Sequence, residues 1–309
     1  MGKTDRSAQR KTSALVTLIL LAVLGIAAAG LYHLDSLRKD ALLTQSQLKQ
    51  QLEEVNVEIE GAKEEASSIQ AKIEEEEHKN YDPVLKKQEF YEVAKQLEDA
   101  VLAGTADCKI AYLTFDDGPY EATSMSFLDV LDQYDVLATF FLLGKDSDLH
   151  KEIIRREYNT GHTVANHTYS HKIRNGIYRS VDAFIEDVVK NREYIQNLIG
   201  YTTNILRVPG GTPTAGSLKP GIVEKLQELG YGYVDWDAED GDGKLINLSK
   251  DEYVENLFNT VHDQKLLVVL LHDYCNGTLE ALPEIITGLR QRGYIFLPLF
   301  YESNAIHKS

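Results

Sequence analysis

Two cysteines among 309 residues are too few for the disulfide framework that holds many small secreted domains together, so the fold must rest on a hydrophobic core. Basic residues are also in deficit: 32 Lys and Arg stand against 48 Asp and Glu, a net charge of −16. A phosphate backbone needs a basic face, so nucleic acid is not an expected partner. The deficit is uneven. Lys3, Arg6, Arg10 and Lys11 against Asp5 give residues 1–12 a charge of +3, which leaves −19 for everything after them.

Directly after that basic tail comes an uncharged apolar run of 19 residues, 14–32. As a helix it spans roughly 29 Å, close to the thickness of a bilayer hydrocarbon core. The basic excess before it predicts a single-pass anchor at residues 13–32, with residues 1–12 in the cytoplasm and the C-terminal part extracytoplasmic at the cell membrane. A cleaved signal peptide competes, with Ala27-Ala28-Ala29 as the small-residue site. The run is, however, longer than a signal core of about 7–15 residues. Beyond it, Leu34, Ala41, Leu48, Val55, Ala62 and Ile69 recur every seven residues, with Leu52, Ile59, Ala66 and Ile73 as a second series. This heptad seam predicts a helical, coiled-coil-like stalk over 33–80, through which the chain could form a homodimer. A linker over 81–105 is expected next, then a catalytic domain over 106–302 and a tail at 303–309.

Within 106–302 short apolar runs alternate with amphipathic stretches. Runs at 110–115, 138–143, 163–165, 205–208, 231–236, 266–271 and 295–298 read as strands. Patterns at 125–134, 150–158, 181–199, 220–229, 250–263 and 278–292 read as helices. Such repetition predicts an α/β fold with a parallel sheet, in the form of a (β/α) barrel, whose post-strand residues gather at one face. Cys108 precedes the first strand and Cys275 comes after the 266–271 strand. They should lie at opposite ends of the sheet and remain free thiols.

Four segments at strand ends carry chemistry: Thr114-Phe115-Asp116-Asp117-Gly118-Pro119, His167-Thr168-Tyr169-Ser170-His171, Arg207-Val208-Pro209-Gly210-Gly211 and Leu270-Leu271-His272-Asp273. Alone, the Asp-Asp-Gly-Pro is a good surface turn, and a His pair is more often structural than metal-binding. Together, a carboxylate and two imidazoles make an open three-ligand site that suits a divalent metal, and a second carboxylate is left to act as base.

These segments resemble the motifs of the polysaccharide deacetylase family, also called the NodB-homology domain or carbohydrate esterase family 4, from about Cys108 to Phe300. The resemblance implies a distorted (β/α) barrel of the NodB-homology type and removal of N-acetyl groups from a cell-envelope polysaccharide, most simply peptidoglycan GlcNAc. Chitin, xylan or an exopolysaccharide are alternatives, as is a non-catalytic sugar-binding module. It implies Asp117, His167 and His171 as metal ligands, for Zn²⁺ first and Co²⁺, Ni²⁺ or Mn²⁺ otherwise. Asp116 matches the catalytic base, His272 the acid, and Arg207 the residue that orients the base. Two motifs depart from the family pattern. Val208 and Gly210 replace Pro and Tyr in the third, leaving the Gly210 N–H as the oxyanion donor. In the fourth, counting from Trp236 puts Asp242 at the Asp that tunes the acid and Gly243 at its Trp, with Asp235 and Asp237 as competitors.

Overall fold

The structure, a computed structural model, describes residues 83–244 and 248–308, together with 52–57, 59–61, Leu24 and Ala29. Apart from Leu24 and Ala29, the anchor expected at 13–32 lies outside the described residues, as does most of the stalk, of which 52–57 and 59–61 are helical. Among the described residues no helix is long and apolar enough to cross a membrane. From Pro83 onward the chain forms one compact unit.

Its core is an eight-stranded, wholly parallel sheet. The strands are β1 (Lys109–Gly118), β2 (Thr139–Leu142), β3 (Thr163–Asn166), β4 (Ile205–Leu206), β5 (Gly232–Tyr233), β6 (Ala238–Glu239), β7 (Leu266–His272) and β8 (Tyr294–Phe296). They run in the order β5-β4-β3-β2-β1-β7-β6, with β8 against the lower end of β1. The edge strands β5 and β6 are not paired to each other, so the sheet stays open rather than closing as an ideal barrel would. The helices are α1 (Pro83–Ala103), α2 (Ser124–Gln133), α3 (Asp148–Asn159), α4 (Val181–Ile199), α5 (Lys219–Glu228), α6 (Lys250–Thr260) and α7 (Asn276–Gln291). Serines that accept backbone N–H groups start three of them: Ser147, Ser180 and Ser249, the last in a capping box with Glu252.

Strand alternation divides β1 between two cores. Ala111, Leu113 and Phe115 pack with Phe127, Leu128 and Ile285 from the helices. Ile110 and Tyr112 face the other way, into a cluster with Phe141, Ala165 and Val268. Thr114 and Asp116 continue the alternation of Ile110 and Tyr112, as His272 continues that of Val268 and Leu270 on β7. The concave side of the sheet is therefore apolar at its lower end and polar at the ends of the strands.

The lower end is closed by a helix that the sequence reading treats as a linker. Residues 81–105 are mostly α1, which buries Ala94 and Val101 in the concave cluster. Its Glu98 has no solvent exposure and accepts hydrogen bonds from Tyr112 Oη (2.7 Å), Ser303 Oγ (2.5 Å) and the Asn304 N–H. The expected tail at 303–309 is likewise part of the domain: Ser303 and Ile306 are buried, and His307 bridges to Tyr233. The run at 231–236 yields only two strand residues, because the backbone of Val234 and Asp235 turns its carbonyls to Arg207. Cys108 and Cys275 are both free.

Candidate active site

Parallel pairing places the functional side chains by register. Asp116 on β1 stands opposite His272 on β7. Asn166, the last residue of β3, stands opposite Leu206, the last of β4, so that His167 and Arg207 are the first residues beyond the two strands. Asp116, Asp117, His167, His171, Arg207, Gly210, Asp242 and His272 sit at the C-terminal ends of strands or in the loops beyond them, as expected of a (β/α) sheet.

Arg207 ties the centre together. Fully buried, it donates from Nη1 to Thr114 Oγ1 (2.6 Å) and Asp116 Oδ1 (2.9 Å), from Nε to the Val234 carbonyl and from Nη2 to the Asp235 carbonyl. Its guanidinium lies over the Phe141 ring, 4.3 Å from the centroid. Burial raises the Asp116 pKa despite the opposing charge and hydrogen bond of Arg207 and the charge of His272. A base with a raised pKa takes a proton more readily.

Asp117, His167 and His171 present ligand atoms that all lie within 4.8 Å of one another. The Asp117 Oδ1 atom is 3.5 Å from His167 Nε2 and 3.3 Å from His171 Nε2. His167 Nδ1 is 2.8 Å from the Arg207 carbonyl. A carbonyl can only accept, so the proton is on Nδ1 and the Nε2 lone pair faces Asp117. Burial, the largest influence, lowers the His167 pKa to about 3, which keeps the ring neutral. Asp117 Oδ1 is buried without a hydrogen-bond partner. Acceptors converging on one point with an orphaned carboxylate oxygen fit a divalent cation.

The backbone there is strained as well. Asp117, Thr168 and His171 take φ of 69, 67 and 52°, a region that non-glycine residues seldom occupy. Several residues that the motifs do not include hold this geometry. Lys145 Nζ donates to the carbonyls of Asp117 (2.7 Å) and Pro119 (2.9 Å). Asn166 Oδ1 accepts the Thr168 N–H at 2.8 Å, and Asn191 Nδ2 bonds Asn166 in turn. Asp187 accepts the Ser170 N–H at 2.8 Å.

On the opposite wall His272 Nδ1 is 2.6 Å from Asp242 Oδ1, and the His272 backbone N–H donates to Asp242 Oδ2 at 2.7 Å. Burial alone would lower the His272 pKa, but the hydrogen bond and charge of Asp242, with the charges of Asp116 and Asp117, raise it to about 9. The two competitors for this role are engaged elsewhere: Asp235 holds the Thr212 N–H at 2.9 Å and Asp237 the Val268 N–H at 2.8 Å. Asp240 and Thr278, absent from the sequence reading, sit behind Asp242. Gly210 is exposed with a φ of 73° in the loop after Arg207. Where the family pattern would put Tyr and Trp this chain has Gly210 and Gly243, with the Trp236 ring packed beside Gly211 and the His272 ring beside Gly243. Tyr274 and Tyr120 stand nearby, with Tyr274 5.0 Å from the His272 ring and Tyr120 6.1 Å from Tyr274.

A polysaccharide deacetylase family model matches residues 103–234. The chain is 31% identical over 201 residues to a peptidoglycan-N-acetylglucosamine deacetylase of Bacillus cereus, covering 63% of this chain and 71% of that protein. The chain belongs to the polysaccharide deacetylase family. It is also 28% identical to the peptidoglycan-N-acetylmuramic acid deacetylase PdaA of Bacillus subtilis, covering 64% of this chain and 73% of that one. Among solved structures, the catalytic domain of a peptidoglycan N-acetylglucosamine deacetylase from Eubacterium rectale superposes with a TM-score of 0.60 at 36% identity, over 66% of this chain and 97% of that chain.

Proposed function

We propose that this chain is a metal-dependent N-deacetylase that acts on peptidoglycan N-acetylglucosamine, tethered to the cell membrane through residues 13–32 with its catalytic domain outside. The observation that carries the chemistry is the convergence of three sets at one end of one sheet: Asp116 with Arg207, Asp117 with His167 and His171, and His272 with Asp242. A sugar-binding module has no use for a base, an acid and a ligand set together. The substrate reading draws on the named activities of relatives, and the tether on the basic tail and apolar run in the sequence.

Asp117, His167 and His171 would hold the ion, Zn²⁺ by their donor types. When bound, it would polarise an acetamide carbonyl and the attacking water. The chain's own residues supply the rest. Asp116, held by Arg207, accepts a proton from the water as it attacks. The Gly210 N–H donates to the oxygen on which charge accumulates. His272, protonated and aligned by Asp242, passes its proton to the departing sugar amine. Acetate and a glucosamine unit result.

Acetate release tests this reading. The full chain in detergent, incubated with purified peptidoglycan, with chitin oligomers and with N-acetylmuramic-rich fragments, should release most from peptidoglycan glucosamine, and a chelator should stop it. Release from chitin alone would remove the substrate claim, and release that is indifferent to chelation would remove the metal.

A further inference from the structure

Behind His272 lies a buried chain of groups whose hydrogens can be counted. Asp242 Oδ1 and Oδ2 each receive an N–H from His272, at 2.6 and 2.7 Å. Both Asp242 oxygens are thus already taken up as acceptors. The Thr278 hydroxyl, which has no solvent exposure, is 2.7 Å from Asp240 Oδ2 and 3.0 Å from Asp242 Oδ2. One hydroxyl carries one hydrogen and can donate to only one of these oxygens. Unless a carboxyl supplies the other hydrogen, two acceptors face each other at hydrogen-bond distance in a site without water-like screening.

Asp240 is the group suited to supply it. Its side chain is fully buried and receives one backbone N–H, that of Asp242, at Oδ1 (3.0 Å). Burial, with the Asp242 charge next in size, pushes its pKa up to about 8. We propose that Asp240 is a positioning residue: as a neutral acid it donates from Oδ2 to Thr278, whose hydroxyl donates to Asp242 Oδ2, and this chain fixes the carboxylate that orients His272. The proposal rests on the reading of His272 as the acid of the reaction. It gives Asp242 a third donor, so the carboxylate cannot swing away when His272 loses its proton to the sugar amine and must regain one.

Three variants of the full chain test it: Asp240→Asn, Asp240→Ala and Thr278→Val. Asparagine accepts the Asp242 N–H with its carbonyl and donates to Thr278 with its amide, as a neutral acid would. Asp240→Asn should therefore keep kcat near wild type. Asp240→Ala and Thr278→Val should each lower kcat by about 10- to 100-fold with little change in KM, the size expected for loss of an outer orienting contact. A second readout does not depend on turnover. The low-field proton resonance of His272 Nδ1–H, assigned by its loss in His272→Gln, should persist in Asp240→Asn and shift or broaden in the other two. That pattern with unchanged turnover would uphold the positioning role and remove His272 as the acid. Asp240→Asn behaving like Asp240→Ala in both readouts would overturn the proposal, as would a resonance that none of the three variants moves.

Discussion

His167 and His272 stand on opposite walls of one site and differ in the oxygen that each Nδ1 meets. Both are at strand ends, both are largely screened from solvent, and both offer Nδ1–H to an oxygen, at 2.8 and 2.6 Å. For His167 the oxygen belongs to the Arg207 carbonyl, which bears no net charge, so burial dominates and the pKa falls to about 3. For His272 the oxygen belongs to the Asp242 carboxylate, and the acidic groups around it overcome burial and raise the pKa to about 9. The same side chain thus becomes a neutral donor of a lone pair on one wall and a donor of a proton on the other. Arg207 serves both walls, orienting His167 with its backbone and Asp116 with its guanidinium.

The comparison breaks most completely on the ligand wall. Asp117→Ala should lose both the metal and turnover, because it removes the carboxylate on which the two imidazoles converge. Asp116→Asn should keep the metal and still lose turnover by about 10²- to 10⁴-fold, the range for removal of a general base. Metal analysis of the two purified proteins separates ligand from base, and equal metal content in both would refute that division. His272→Gln should lower turnover by roughly 10²-fold, at the mild end of that range, and leave the metal in place.

Titration sharpens the contrast. In the metal-free protein His272 should titrate near 9 and His167 should stay neutral throughout the neutral range. Because the folded pKa of His272 lies above its ordinary value, its contribution to stability is full below about pH 6.5 and fades as pH rises through the folded value. Thermal unfolding measured across that window should show the loss, and Asp242→Asn should flatten it. A bound dication would repel the imidazolium and move the His272 titration downward. Replacing Arg207 with Met should destabilise the fold by about 3–5 kcal/mol, since Asp116 would be left buried without its partner. Arg207→Lys keeps the charge but lacks the fork, and should lose less stability while still impairing turnover.

Much of this was legible in the sequence, and the gaps have physical causes. Helix α4 occupies the residues that its apolar periodicity predicts, 181–199, and the long runs that became β1 and β7 are extended at their functional ends, β1 also by Lys109 at its start. Strand β6 has two residues, too few for any alternation to show. Helix α1 did leave a signal: Phe90, Ala94, Leu97 and Val101 repeat at helical spacing and are the residues that turn to the core. Composition rich in Lys, Gln and Glu let it pass as a linker. The motif residues were readable because each lies next to a strand end. Lys145, Asn191, Asp240 and Thr278 were not, since their partners are brought to them only by the folded sheet.

The smallest expected effect on chemistry belongs to α1, at the far end of the sheet from Asp116. Glu98 uses two oxygens to accept from Tyr112 Oη, Ser303 Oγ and both nitrogens of Asn304. Every one of those partners arrives as a donor. Glu98→Gln keeps the size of the side chain but replaces one acceptor with an NH₂ group, which would point at donors in a fully buried position. Leaving such groups unsatisfied should cost about 1–3 kcal/mol of stability. Turnover well below the melting temperature should be unchanged, because none of the contacts that align Asp116, Arg207 or His272 passes through Glu98. A lowered melting temperature with wild-type kcat would mark α1 as the floor of the domain, whereas an unchanged melting temperature would return it to the role of a linker.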